Sequence, residues 1–471
     1  MSVHSPRFDH PTAVHFGAGS IGLGFIGFLI AKAGYHVIFA DIDPRVISHL
    51  NADATYTIRY LEPRRSKPFH VRNVSGILSN IKEGIIQLAE DIGDKEMKLI
   101  TTSIGFGALK QTAPIIAKGI IARRQEGAGF LNIIACENGK GASDLLKDAV
   151  YRDLDKTVQE WADCYVGFAN CSVDRIVPQP ANEQEKLLSV GVDKFFGTLS
   201  SRKLLWTCWN RLTTLPEWIV DIKALKCVDH SGPKPALDPP IPGMILTGSL
   251  PAFQARKLYI FNCGHVTTAY LGTIFHRQVV SEAINDIDNI LPIVEGAMKE
   301  SGQALVKEYT DTFDDAGMNG YIQKSIGRFK NPEVVDAVTR VGRQPLRKLG
   351  RDERLLGPFY LAKKHGLPTK FLAIAIAAAL MSRNEDDEQA NELHNVEKSH
   401  GVEDALEEFL NLKSGSDDFK EILNAYNNLN GRMKPLTFNK NWLPGSAVYT
   451  EQLENPCSVT LCMIVEVWVI L

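Results

Sequence analysis

The sequence predicts an α/β N-terminal half, built as a doubly wound parallel sheet, followed by a mostly α-helical C-terminal domain. Two patterns predict it. In the first half "TAVHF" leads into a glycine-rich turn, a helical stretch to Gly34 and a β-branched and aromatic run ending at Asp41. The compact runs "MKLITTSIG" and "FLNIIACENG" follow, separated by the helical "ALKQTAPIIAKGIIARRQ", and such alternation calls for crossover helices on a parallel sheet. From about residue 251 the apolar spacing turns helical almost throughout, from "AFQARKLYIFNCGHVTTAYLG" to "FKEILNAYNNL". "FLAIAIAAAL" (371–380) is too short to cross a membrane and reads as a buried core helix, while the acidic stretch 387–420 reads as a solvated helical face.

Composition narrows the function. A chain of 471 residues, 44% apolar and 23% charged, has length for two domains without staples. A net charge of -3 gives no reason to expect nucleic acid or a membrane surface as partner, so a small molecule is expected. The eight cysteines form no C-x-x-C pair, which argues against zinc and a disulfide framework and for a reducing compartment. The opening "MSVHSPRFDHPT" lacks an apolar h-region, so the cytosol is the expected location.

Gly17, Gly19 and Gly22 form G-x-G-x-x-G where a strand meets a helix, the Rossmann-like cradle in which backbone N–H groups and a helix N-terminus meet a pyrophosphate. Ser20 and Ile21 inside the turn, and Thr102 at the end of the run "MKLITT", complete the expected cofactor-binding set. Asp41 closes the second strand 19 residues after Gly22, where its carboxylate would take two ribose hydroxyls and repel a 2′-phosphate. NAD is therefore expected over NADP, with the nearby Arg45 as the one contrary feature.

In "ARKLYIFNCGH", Lys257, His265 and Asn262 fall at about 0°, 80° and 140° on a helical wheel, among Leu258 and Phe261. An amine, an imidazole and an amide on one apolar face cost several kcal/mol to bury without partners. A dehydrogenase acting on an alcohol without a metal needs such groups: a lysine of depressed pKa as base, and amides as donors to the developing alkoxide. Asn138 ends a predicted strand at the carboxyl edge of the sheet, where doubly wound folds place ligands.

"KLYIFNCGH" resembles the K-x-x-x-x-N-x-x-H signature of the long-chain polyol-specific dehydrogenases, and "HFGAGSIG", "NIIACEN", "VDRIVP", "IQKSIGRFKNP" and "VGRQPLRKL" resemble successive blocks of a member acting on mannitol 1-phosphate. The blocks run in family order over roughly residues 13 to 430. The resemblance implies a monomeric, metal-independent enzyme interconverting D-mannitol 1-phosphate and D-fructose 6-phosphate. It implies Lys257 as general base in oxidation and acid in reduction, Asn262 and Asn138 as holders of the substrate oxygen, and His265 as orienting the substrate. Asp174 and Arg175 of "VDRIVP" would lie near the polyol.

"TRVGRQPLRKL" gathers Arg340, Arg343, Arg347 and Lys348 within nine residues, a set suited to a phosphate dianion. Arg340 and Lys348 match positions that line the polyol site in phosphate-free relatives, which leaves Arg343 and Arg347 as the expected phosphate pair, with Arg328 as a further candidate. Two residues depart from the family: Leu23 replaces an Arg in the glycine-rich loop, a cation expected near the pyrophosphate, and Ala255 replaces a carboxylate that would relay protons from Lys257. The expected organisation is an N-terminal extension (1–12), a dinucleotide-binding domain (13–196), an atypical insertion (197–216), a helical catalytic domain (217–430) and an atypical tail (431–471). The alternatives are a free-polyol or hexuronate oxidoreductase of the same family and a non-catalytic dinucleotide-binding protein.

Overall fold

The computed structural model describes residues 9–60, 68–175, 189–192, 217–226 and 237–433. The expected insertion at 197–216 and the tail from 434 onward lie outside the described residues.

Six parallel strands form the main sheet: β1 (Thr12–Phe16), β2 (His36–Asp41), β5 (Val74–Leu78), β6 (Met97–Thr102), β7 (Leu131–Ala135) and β8 (Val166–Phe168). β1 and β7 are buried at every residue, as a sheet covered by helices on both faces requires. The spatial order β5-β2-β1-β6-β7-β8 is 3-2-1-4-5-6 when the six are counted along the chain, so the winding reverses between β1 and β6. Phe16 pairs with Ala40 on one side and Thr102 on the other. The chain leaving these strands therefore delivers Gly17, Asp41, Thr102 and Asn138 to one carboxyl edge, at the switch point where such sheets bind ligands.

Two small sheets flank this one. β3 (Thr55–Tyr60) runs antiparallel to β4 (Phe69–Arg72) and parallel to β10 (Ser189–Val192). β11 (Glu217–Asp221) pairs antiparallel with β9 (Cys171–Asp174) and parallel with β12 (Met244–Thr247). The second of these brings Val173 and Asp174 beside the helix that carries Lys257.

Among the described residues, the elements from Leu250 onward are helices. A continuous helix spans 250–274, and "FLAIAIAAAL" lies within the helix Lys370–Leu380, whose residues from Leu372 onward are all buried, as its composition predicts. That helix packs against Leu291–Glu308, Asp417–Met433 and the 250–274 helix. Its first turn is capped from outside: the Glu300 carboxylate accepts from Phe371 N at 3.0 Å and Leu372 N at 2.9 Å, satisfying donors that no intrahelical carbonyl reaches. In the acidic stretch, helix Val402–Leu410 turns Glu403, Asp404, Glu407 and Glu408 to solvent and buries Ala405 and Leu406.

Candidate active site

The glycine-rich turn has the shape a pyrophosphate needs. Gly17 has φ 103°, in the left-handed region, and a Cβ there would stand 2.7 Å from Ser103 O. A Cβ at Gly22 would collide with Gly17 O, so this glycine lets the helix begin directly against the turn. At Gly19 nothing lies within 4 Å of a Cβ position, and the residue is exposed, leaving the space above the turn open to a ligand. Asp41 folds onto the turn: Oδ2 accepts from Ala18 N at 2.6 Å and Oδ1 from Asp43 N at 2.9 Å, and each oxygen keeps a lone pair for a ribose hydroxyl. Arg45 forks onto Asp43, with Nη2 at 2.8 Å from Oδ2. These residues fit a dinucleotide.

His15 lies beneath the turn, its ring nitrogens 2.6 Å from Thr101 Oγ1 and 2.8 Å from Ser103 Oγ. Full burial pushes its pKa down to about 3. The unfolded chain takes up this proton below pH about 6.5 while the folded chain resists it down to about 3, so in this window the imidazole destabilises the fold as pH falls. The expected slope is about 1.4 kcal/mol per pH unit. Urea midpoints measured between pH 7 and 5 should fall more steeply for the wild type than for His15→Gln; parallel slopes would refute the assignment.

In the 250–274 helix, residues Lys257–Asn262 form a π-helical turn between two α-helical segments. With i→i+5 bonding, Asn262 stands about one turn above Lys257 instead of a third of the way round, and His265, three residues further, continues on that side. The three polar groups are thus closer to one line than a uniform 100° wheel places them.

Lys257 Nζ donates to Val173 O at 2.6 Å and lies 3.4 Å from Asn138 Oδ1, joining the helix to β9 and to the loop after β7. Burial is the main cause of a pKa below the ordinary lysine value; Asp174 opposes that shift, and Arg328 and Arg354 add to it. A neutral amine has two N–H groups and one lone pair. Its two N–H groups have acceptors in Val173 O and Asn138 Oδ1, so the lone pair is left over for a substrate hydroxyl. Asn138, accepting through Oδ1, keeps its Nδ2 as a donor. Asn262 is partly buried and, among the described residues, its amide makes no hydrogen bond.

His265 stacks on Phe329, with ring centroids 5.1 Å apart at 11°, and its Nε2 lies 3.2 Å from Asp336 Oδ2. Asp336 also accepts from Arg340 Nε at 2.8 Å. Burial alone would raise the Asp336 pKa, but bonds and charge from His265 and Arg340 bring it below the usual carboxylate value. His265 is thereby fixed in rotation.

Asp174 is 4% exposed and takes Arg328 Nη1 at 3.0 Å and the Tyr321 hydroxyl at 3.3 Å. Arg328, expected as a further phosphate ligand, pairs with Asp174 and stacks over Phe261 at 4.4 Å. Arg175, expected near the polyol, is buried with its guanidinium 5.2 Å over the Phe25 ring, toward the dinucleotide-binding helix. Two charged residues went unremarked in the sequence. Arg354 is near enough to depress both Lys257 and Lys348, and Glu137 is buried among the strand ends. An acid between Cys136 and Asn138 in an otherwise apolar strand end was a signal available for the second.

Arg340, Arg343, Arg347 and Lys348 line one cavity of about 430 Å³ together with Gln344, Asp386, Asp387, Glu388 and Gln389. Gln344, at φ 58°, turns the chain so that its N–H meets Asp387 Oδ2 at 2.6 Å, and Arg347 N meets Gln389 Oε1 at 3.0 Å. Arg343 and Arg347 are exposed; Lys348 is buried and donates to Val341 O. Burial, then Arg354 and Arg347, push the Lys348 pKa down to about 7. Asp387 opposes that shift, and with Asp386 and Glu388 it sets carboxylates beside the guanidinium groups in the same cavity. Lys257, Asn262 and His265 do not line this cavity; the link to it is the chain His265, Asp336, Arg340.

The model of the mannitol dehydrogenase Rossmann domain matches residues 11–199, and that of the mannitol dehydrogenase C-terminal domain matches residues 249–430. The chain belongs to the mannitol dehydrogenase family. Among solved structures it is similar to D-sorbitol dehydrogenase in substrate-free form, with a TM-score of 0.69 at 16% identity over 91% of this chain and 96% of that one. It is also similar to Pseudomonas fluorescens mannitol 2-dehydrogenase in a ternary complex with NAD and D-mannitol, with a TM-score of 0.59 at 15% identity over 90% of this chain and 92% of that one. At these identities the likeness is one of fold.

Against the family pattern, the two departures have different surroundings. Leu23 is 4% exposed, packs in the core with Phe25 and Tyr56, and accepts the Tyr56 hydroxyl at 2.8 Å through its carbonyl. The leucine side chain faces the core of the N-terminal domain. Ala255 lines a separate cleft of about 650 Å³ with Gln254, Leu258, Lys140 and Glu308. Glu308 and Asp352 are the carboxylates lining that cleft, and Glu308 is held by Lys364 at 2.6 Å and His365 at 2.8 Å.

Proposed function

We propose that this protein is a mannitol-1-phosphate 5-dehydrogenase, interconverting D-mannitol 1-phosphate and D-fructose 6-phosphate with NAD and with lysine as general acid and base. The observation that carries the chemistry is Lys257: a partly buried amine of lowered pKa whose two acceptors leave one lone pair unassigned, at the carboxyl edge of a dinucleotide-binding sheet. In oxidation the lone pair takes the hydroxyl proton, and the Asn138 and Asn262 amides donate to the oxygen as its charge grows. In reduction the ammonium returns that proton. A nicotinamide bound over the switch point would accept or supply the hydride. Lysine and amides together meet the reaction's demand for proton transfer and charge stabilisation.

NAD is favoured over NADP by Asp41, whose carboxylate faces the turn, and by the pairing of Arg45 with Asp43. A phosphorylated substrate is favoured by the three guanidinium groups, Arg340, Arg343 and Arg347, that line one cavity with Lys348, although Asp386, Asp387 and Glu388 line it too. A free-polyol oxidoreductase is the second reading, since Lys257, Asn262 and His265 lie outside that cavity. Arg343→Glu separates the two. It should raise the KM for fructose 6-phosphate about tenfold or more, and leave that for fructose nearly unchanged. Equal effects on both substrates would refute the phosphate assignment.

A further inference from the structure

Glu137 is 7% exposed, and a carboxylate so placed is costly to bury unless its oxygens are met. Here all the donors come from the chain leaving β6. Oε1 accepts from Thr102 Oγ1 at 2.7 Å and from Ile104 N at 3.0 Å, and Oε2 accepts from Gly105 N at 2.9 Å. The segment so held touches both halves of the site. Ser103 O and the Ile104 side chain lie within 3 Å of where a Gly17 Cβ would stand, and the Phe106 ring lies against Gly139, next to Asn138.

We propose that Glu137 is a positioning residue for the nicotinamide end of the site, clamping segment 103–106 between the glycine-rich turn and the Asn138–Gly139 turn. This rests on the nicotinamide reading above. The carboxylate is required because donors approach both of its oxygens; a glutamine offers one oxygen, and its NH2 would face an N–H or a hydroxyl. Thr102 contributes through the same clamp, since its hydroxyl is fully buried and spent on Glu137.

The test is NADH affinity by fluorescence alongside thermal melting. Glu137→Gln should weaken NADH binding about tenfold, with a melting temperature within a few degrees of wild type. Glu137→Asp, which keeps both acceptors on a shorter arm, should fall between the two. Unchanged NADH affinity in Glu137→Gln would overturn the proposal whatever the melting temperature does. If Glu137→Gln does not fold, Thr102→Val removes one donor and leaves the carboxylate its two backbone partners. It should then weaken NADH binding severalfold, and wild-type affinity would overturn the proposal. Wild-type protein that takes up no NADH would instead overturn the cofactor reading on which it rests.

Discussion

Lys257→Ala should lower kcat by about 10²–10⁴-fold for both polyol oxidation and ketose reduction, while NADH affinity stays near wild type. Both directions fail together because one nitrogen gives and takes the same proton. The pH profiles should have opposite signs. Oxidation needs the neutral amine, so its kcat rises with pH; reduction needs the ammonium, so its kcat falls. Both inflections should lie below the ordinary lysine value, chiefly because the Lys257 amine is withdrawn from water. An alanine variant that keeps its reduction rate would remove the lysine from the mechanism.

The second large effect is at the glycine-rich turn, where two alanine substitutions should behave differently. Gly22→Ala sets a Cβ against Gly17 O and 2.8 Å from His15 Nε2, with backbone on one side that cannot yield cheaply. It should lose both NADH binding, by about 100-fold or more, and several degrees of melting temperature. Gly19→Ala meets nothing within 4 Å and should melt as wild type, yet its methyl group occupies the space a pyrophosphate would approach. NADH affinity should therefore fall about tenfold without loss of stability. Full NADH affinity in Gly19→Ala would mean that the ligand does not cross this turn.

Four of the sheet's six strands, β1, β2, β6 and β7, were legible in sequence because buried parallel strands are continuous apolar runs, while β5 and β8 were not read. β9, β11 and β12 were not legible either, because β9 pairs with a strand more than forty residues away and no crossover helix among the described residues marks the pairing. Lys257 and Asn138 were each legible as polar residues in apolar surroundings. Their meeting was not a matter of pattern, since 119 residues separate them and only the fold brings them together. The π turn escaped the wheel because periodicity assumes one pitch throughout. Arg328 and Arg175 were legible as charges, but their neighbours, a carboxylate on β9 and the Phe25 ring, were not. Glu137 and Arg354 belong to no repeat or cluster, so only burial and neighbours assign them weight.

The central claim is that a lysine-driven nicotinamide site acts on a phosphorylated ketose. The most direct measurement is the initial rate of NADH oxidation by the purified full chain with fructose 6-phosphate, fructose or fructuronate. The account predicts a kcat/KM for fructose 6-phosphate at least about 100-fold above the other two, consistent with charge-assisted recognition of a dianion by paired guanidinium groups. Comparable turnover of fructose, or NADH binding without turnover of any of the three, would contradict it.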